Sequence, residues 1–409
     1  MKKNLYITFR ALRHRNYLLF FIGQCISLIG TWIQQIAVSW LVYRLTNSAL
    51  IMGLITFSGT FPSLIISPFA GVFIDRINKH KTLIIVQSVF MINAFILAIM
   101  TLAGTIQTWQ LVIIIMVIGA ANAVDMPLRQ SFVIQLVDDH NDLGNAISLN
   151  SSMFNLARMI GPAIAGILIS LVGEGFCFLI DAFSYIAVIT ALLAMNIKPE
   201  IKHIDKVKNV LSELTEGIKY AFGHPIIKKA LLYLAVSSFV GMSFQVLMPI
   251  FAKEILHGNA KTLGFLMSAS GIGALLGALR LASKVTFHDL DKIILKSAVL
   301  FGFSLTALSF IHNFWSSLIL LLLTGFGMVT IMAASNTIIQ KNVDEDKRGR
   351  VMSLYTVAFI GMAPLGSLFQ GTIAEHIGVP YTLLINGLIM FILLFLFHST
   401  NFSKMSKKN

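Results

Sequence analysis

Gly71-Val72-Phe73-Ile74-Asp75-Arg76-Ile77-Asn78-Lys79-His80-Lys81 is a short charged turn set between two apolar runs, residues 48–73 and 82–103. Each run reaches the roughly 20 residues that carry a helix across a bilayer. The turn reads position by position. Gly71 lets a neighbouring helix come close, and Asp75 can accept hydrogen bonds from a helix N-terminus or an arginine. Asn78 tolerates the left-handed conformation of a tight turn. Lys79 and Lys81 anchor it in the cytoplasm, the side on which positive charge is retained. Arg129, at the cytoplasmic end of a later run, is the expected partner of Asp75.

Outward from this hairpin lie ten more apolar runs: 17–41, 109–126, 143–171, 176–195, 230–251, 263–283, 293–311, 315–339, 351–374 and 381–397. Of the 31 Lys and Arg residues, all but Arg44, Arg158, Lys253 and Lys261 fall on alternate connections or the termini. That asymmetry predicts an all-α integral protein of the cytoplasmic membrane with twelve transmembrane helices and both termini cytoplasmic. Charged residues make up only 12% of the chain, about half the share of a soluble globular protein. The net charge of +13 is spread over one membrane face, so it points to lipid headgroups rather than nucleic acid. The first run is full length and lacks a small-residue cleavage pattern, so it reads as a retained span.

Several chemistries are excluded. Cys25 and Cys177 have no paired spacing for a disulfide framework or metal site. The ten His residues form no HExxH pattern, and no GxxxxGK[ST] loop is present to hold nucleotide phosphates. No cofactor, metal or nucleotide is expected. No His, Cys or Ser–Lys constellation suggests an intramembrane enzyme. Uphill transport would have to draw on an ion or solute gradient.

Residues 196–227 are the long polar interruption and divide the chain into a six-span half at 1–195 and another at 228–409. Within it Val207, Val210, Leu211, Leu214, Ile218 and Phe222 recur at helical spacing, with Lys208, Glu213, Glu216 and Lys219 between them. The pattern predicts an amphipathic helix on the membrane surface. The halves echo each other. Ile134-Gln135 and Ser148-Leu149 return as Ile339-Gln340 and Ser353-Leu354, and Pro162 has a partner in Pro364. Such duplication suits two pseudo-symmetric six-helix bundles around a central, alternately exposed site.

Charge at membrane depth is costly and faces a bundle interior or an aqueous cavity. Arg158 lies near the middle of the fifth span, Asp181 early in the sixth and Asp125 toward the inner end of the fourth. Arg158 needs a carboxylate or carbonyl partner, either acid being a candidate. Two roles remain open: a structural pair, or a proton-responsive switch in which Asp125 is the preferred acid. In the first span Gln24, Ser27, Thr31 and Gln35 form one helical face, assigned to the central cavity because lipid tolerates few unpartnered amides.

The turn resembles the loop signature of the major facilitator superfamily, G-x-L-x-D-R-x-G-[RK]-x-[RK]. Asn78 stands for the usual Gly and Phe73 for the usual Leu, while the second copy is eroded around Gly277-Ala278-Leu279-Arg280. The resemblance implies a conformational latch of Gly71, Asp75, Arg76, Asn78, Lys79, Lys81 and Arg129, in which Asp75 and Arg129 stabilise the outward-facing state. Ser148, Ala157, Gly161, Pro162, Ala165 and Gly166 match the superfamily's antiporter motif with three glycines replaced by Ser or Ala. Their small side chains allow close packing and Pro162 a bend. By the same resemblance spans one, four, seven and ten line the cavity, adding Asn122, Ser237, Gln245, Thr330 and Asn336.

Asn16-Tyr17, Gly30-Thr31-Trp32, Asp125-Met126-Pro127-Leu128-Arg129-Gln130, Asn155-Leu156-Ala157-Arg158 and Gly173-Glu174-Gly175-Phe176 are similar to the enterobactin-exporter and macrolide-efflux branch. The likeness is dense through residue 195 and thin afterwards. It implies a monomeric secondary transporter exporting a siderophore-like or drug-like small molecule in exchange for protons. The alternatives are an importer of a siderophore or metabolite and, in another class, a non-transporting membrane sensor or scaffold.

Overall fold

The computed structural model describes residues 9–74, 77–137, 139–197, 210–283, 290–345 and 347–398. Among them only helices and turns occur, as a backbone without water partners requires. The first half contains α1 (Arg15–Thr46), α2 (Ala49–Ile74), α3 (Lys79–Leu102), α4 (Thr108–Val133), α5 (His140–Val172) and α6 (Glu174–Leu193). The linker helix α7 (Val210–Gly223) follows. The second half contains α8 (Pro225–Gly241), α9 (Ala260–Ala282), α10 (Leu290–Leu308), α11 (Phe314–Asn342), α12 (Arg348–Thr356), α13 (Met362–Ile377) and α14 (Val379–His398).

Among the described residues eleven helical stretches are long and apolar enough to cross a membrane. Where the ninth span is expected stands the 19-residue helix α10, which is not among those eleven. Asp291, Lys292 and Lys296 in its first two turns dilute its apolar character. Two expected spans are present with irregular turns inside them. In the seventh, α8 stops at Gly241 and is followed by a 3-10 turn at Phe244–Leu247, the short Met248–Ile250 and a π turn at Phe251–Ile255. The eleventh carries a π turn at Val357–Gly361 between α12 and α13.

Contacts group the chain into two units. The first holds Met1–Leu41 and Phe61–Lys206, and the second holds Val42–Thr60 and Val207–Asn409. The tip of the hairpin between α1 and α2, from the first half of the sequence, thus falls in the second unit. In the first unit Tyr17, Phe20, Leu83, Leu128 and Phe132 form a core cluster, and α3 lies along α6. Arg10 pairs with Asp142 at 2.7 Å, and Tyr17 donates to the Ala146 carbonyl at 2.8 Å, tying the N-terminal segment to the start of α5.

In the second unit α9 packs tightly on α11. A Cβ at Gly273 or Gly325 would overlap the backbone carbonyl of Leu322 or Ser270, so only glycine permits this approach. The linker helix is pinned to α12. Glu216 accepts from Lys347 at 2.6 Å and Arg350 at 2.7 Å, and the Asp344 N–H donates to the Tyr220 hydroxyl at 3.2 Å. Val207 and Lys208 lie outside the described residues.

Candidate functional site

At the turn from α2 to α3, Asn78 corrects the expectation. Its φ is −70°, not left-handed, and its side chain accepts from the Lys81 N–H at 3.0 Å. Asparagine serves here as the N-cap of α3, satisfying a first-turn donor that glycine would leave open. Asp75 and Arg76 lie outside the described residues. His80, in the same turn, shares a hydrogen bond with the Leu192 carbonyl at 2.8 Å and stacks on Phe132.

Arg129 belongs to a polar cluster buried in the first unit. Its guanidinium meets Asp125, four residues earlier on α4, at 2.5 Å, and donates to Gln24 of α1 at 2.8 Å. Gln87 of α3 donates to the other Asp125 oxygen at 2.7 Å. Asp125 is 1% exposed and Gln24 likewise. One carboxylate therefore ties α1, α3 and α4 together through a charge-assisted network. Gln87 is missing from the sequence-derived site. Its signal was an amide within an apolar run, the mark by which Gln24 was found.

Asp181 on α6 is wholly buried, with one oxygen 3.4 Å from Ser184 Oγ and the other unpartnered. One turn later Tyr185 places its hydroxyl 3.4 Å from Thr31 Oγ1 and stacks on the Phe90 ring. Arg158 does not form the expected ion pair: among the described residues it meets neither Asp125, which Arg129 occupies, nor Asp181. Of the α1 stripe, Gln24 and Ser27 are buried, Thr31 is half-buried and Gln35 is exposed.

The α5 motif works by close approach. Met153 and Ala157 pack with Leu28 of α1, and a Cβ on Gly161 would lie 2.5 Å from Trp32 Cβ. Pro162, Ala165 and Gly166 are buried and Ser148 is exposed, its hydroxyl donating to the Gly144 carbonyl. The helix runs without a break through Pro162.

In the second unit the two broken spans meet at their breaks. Ser238 of α8 donates to the Phe359 carbonyl in the π turn, and Ser243 donates to the Ala363 carbonyl at 2.9 Å. Gln370 of α13 donates to the Val240 carbonyl at 3.0 Å. Carbonyls freed where the helices unwind are thus met by side chains of the neighbour, as a membrane interior demands. Of the proposed cavity residues, Ser237 and Thr330 are buried, Gln245 and Asn336 are half-buried and Asn122 is exposed. Thr330 donates to the Phe326 carbonyl and Asn336 accepts from Gln340.

The hairpin tip in the second unit is held by a borrowed cap. Glu375 of α13 accepts from Ser48 Oγ at 3.0 Å and the Leu50 N–H at 3.1 Å, and also from the Ala49 N–H, at the start of α2. Beneath it Gly53 and Gly371 cross so closely that a Cβ on either would lie 3.0 Å or less from the other's Cα. Tyr43 donates to Glu254 at 2.8 Å.

The transmembrane secretion effector family matches the chain over residues 7–409. The chain is similar to the staphyloferrin A transporter of Staphylococcus aureus, with 28% identity over 93% of this chain and 95% of that one. It is 22% identical to macrolide efflux protein A of Streptococcus pyogenes over 90% of this chain and 91% of that one. The fold is that of the nucleoside transporter NupG, with a TM-score of 0.74 and 16% identity over 95% of this chain and 99% of that one.

Proposed function

This chain belongs to the transmembrane secretion effector family, and from that premise we propose that it exchanges protons for a siderophore-like or drug-like small molecule moving outward. It is a multi-pass secondary transporter of the major facilitator type and not an enzyme. Both termini lie in the cytoplasm, and one chain forms the working unit. The siderophore and macrolide relatives support export of this cargo class.

Proton coupling rests on the Asp125 cluster. The carboxylate is buried between Arg129 and Gln87, and Arg129 in turn holds Gln24. A proton arriving on Asp125 removes the charge that keeps Arg129 in place and loosens α4 from α1. Asp181, buried on α6 of the same unit, is the second acid on the route. Arg158, half-buried on α5, is available to an acidic group on the cargo. At the other end the Glu375 cap on α2 is the contact that releases when the outer side opens.

The test is uptake into proteoliposomes with an imposed pH gradient and a panel of siderophores, macrolides and peptides. Asp125→Asn keeps the shape and the Gln87 contact but cannot cycle a proton. It is expected to lose gradient-driven uptake while retaining downhill exchange of the same compound. Intact uphill transport by this variant would overturn the assignment.

A further inference from the structure

A cavity of about 390 Å³ opens between α9, α10 and α11 in the second unit, apart from the Asp125 cluster. Its volume falls within the roughly 300–1,000 Å³ of small-molecule sites. Arg280 from the last turn of α9 and Lys292 and Lys296 from the first two turns of α10 line it, and no carboxylate is among its described lining residues. The two lysines are four apart on one helical face, and Arg280 lies over the Phe326 ring at 5.7 Å, a cation–π contact that steadies the guanidinium. Deeper in, Ser297 offers a hydroxyl, and Leu281, Ile293, Leu300 and Phe326 form an apolar wall.

Three cations at a mouth that leads to an apolar wall match an amphipathic anion. The neighbouring surface favours a lipid over a soluble one. Leu276 and Leu279 on α9 and Val299 and Phe303 on α10 are large, apolar and exposed. In a membrane protein such a surface lies against acyl chains. On the topology expected from the cation distribution, the mouth lies at the inner leaflet, where anionic lipids attract basic residues. We propose that this cavity is a specific site for an anionic phospholipid, with the headgroup phosphate on Arg280, Lys292 and Lys296 and an acyl chain along Leu300 and Phe326.

Full-length protein in neutral detergent, titrated with phosphatidylglycerol and read by native mass spectrometry, tests this. Phosphatidylcholine serves as the zwitterionic control and glycerol phosphate as the tailless anion. Phosphatidylglycerol should stay bound after phosphatidylcholine and glycerol phosphate are lost. Each of Arg280→Gln, Lys292→Gln and Lys296→Gln is expected to weaken it about fivefold, and the triple variant on the order of a hundredfold. Unchanged retention by the triple variant, or equal retention of phosphatidylcholine, overturns the site. Tighter binding of glycerol phosphate than of the lipid overturns the lipid assignment in favour of a soluble anion. Should the triple variant fail to fold, the single variants carry the same comparison.

Discussion

Spans one and five of the first half and spans seven and eleven of the second occupy corresponding places in the repeat, yet they are built differently. α1 and α5 run unbroken for 32 and 33 residues. Their counterparts unwind at Met242–Ser243 and Val357–Gly361 and are stitched together by Ser238, Ser243 and Gln370. The first half places its buried polarity in a charged cluster around Asp125. The second places it in hydroxyls and an amide that serve backbone. The same contrast appears at matched positions: Asp125 and Thr330 stand 205 residues apart, one ion-paired, the other bonded to its own helix and lining the cationic cavity. The two halves of a duplicated bundle thus differ in kind: one buries an ion-paired charge, the other irregular helical turns met by side chains.

That contrast breaks most readily at the close contact beside the irregular turns. A Cβ at Gly366 would fall 2.1 Å from the Phe239 carbonyl oxygen, fixed backbone beside the break. Gly366→Ala is expected to cost about 3 kcal/mol, while Gly161→Ala, which meets the Trp32 side chain, costs about 1 kcal/mol. Thermal midpoints in detergent give the ranking, and equal losses would dissolve the distinction between the pairs. Next comes Ser238→Ala, which strips the Phe359 carbonyl of its donor and should cost about 1–2 kcal/mol, against under about 1 kcal/mol for Thr31→Val. Thr31 donates its proton to the Ser27 carbonyl of its own helix, and its contact with the Tyr185 hydroxyl is long at 3.4 Å, so its loss removes little.

The smallest effect belongs to Glu216→Gln at the exposed linker helix. The hydrogen bond from Lys347, with Arg350 beside it, holds the Glu216 carboxyl below the usual glutamate range. A lowered value means the tie is complete above the ordinary carboxylate pKa and is lost as pH falls through the lowered one. Neutral pH therefore leaves it intact, whereas acid or high salt loosens it. Disulfide cross-linking between cysteines placed on α7 and α12 reads this. Glu216→Gln should slow cross-linking at neutral pH and erase its acid dependence.

The fold was legible because apolar length and cation distribution are properties of composition, and both survive sequence drift. The helix at the ninth place was legible only from its position in the series, since Asp291, Lys292 and Lys296 make its first turns polar. The breaks in spans seven and eleven were not legible, because a π turn has no fixed residue signature and Pro249 and Pro364 sit beside the breaks rather than in them. Asn78 was misread because asparagine suits a left-handed turn and an N-cap alike, and only the backbone decides. The partner of Arg129 was in plain view at i, i+4, but a helix carries many such pairs. Arg158 shows the converse: a costly charge implies a partner, yet among the described residues neither Asp125 nor Asp181 fills that place.

Glu375 supplies the acceptor for the opening turn of a helix to which it does not belong. Whenever it withdraws, the amide protons of Ala49 and Leu50 lose their shelter together. Deuterium uptake at those two amides is thus a built-in clock for how often this cap lets go, readable without a probe or a substitution.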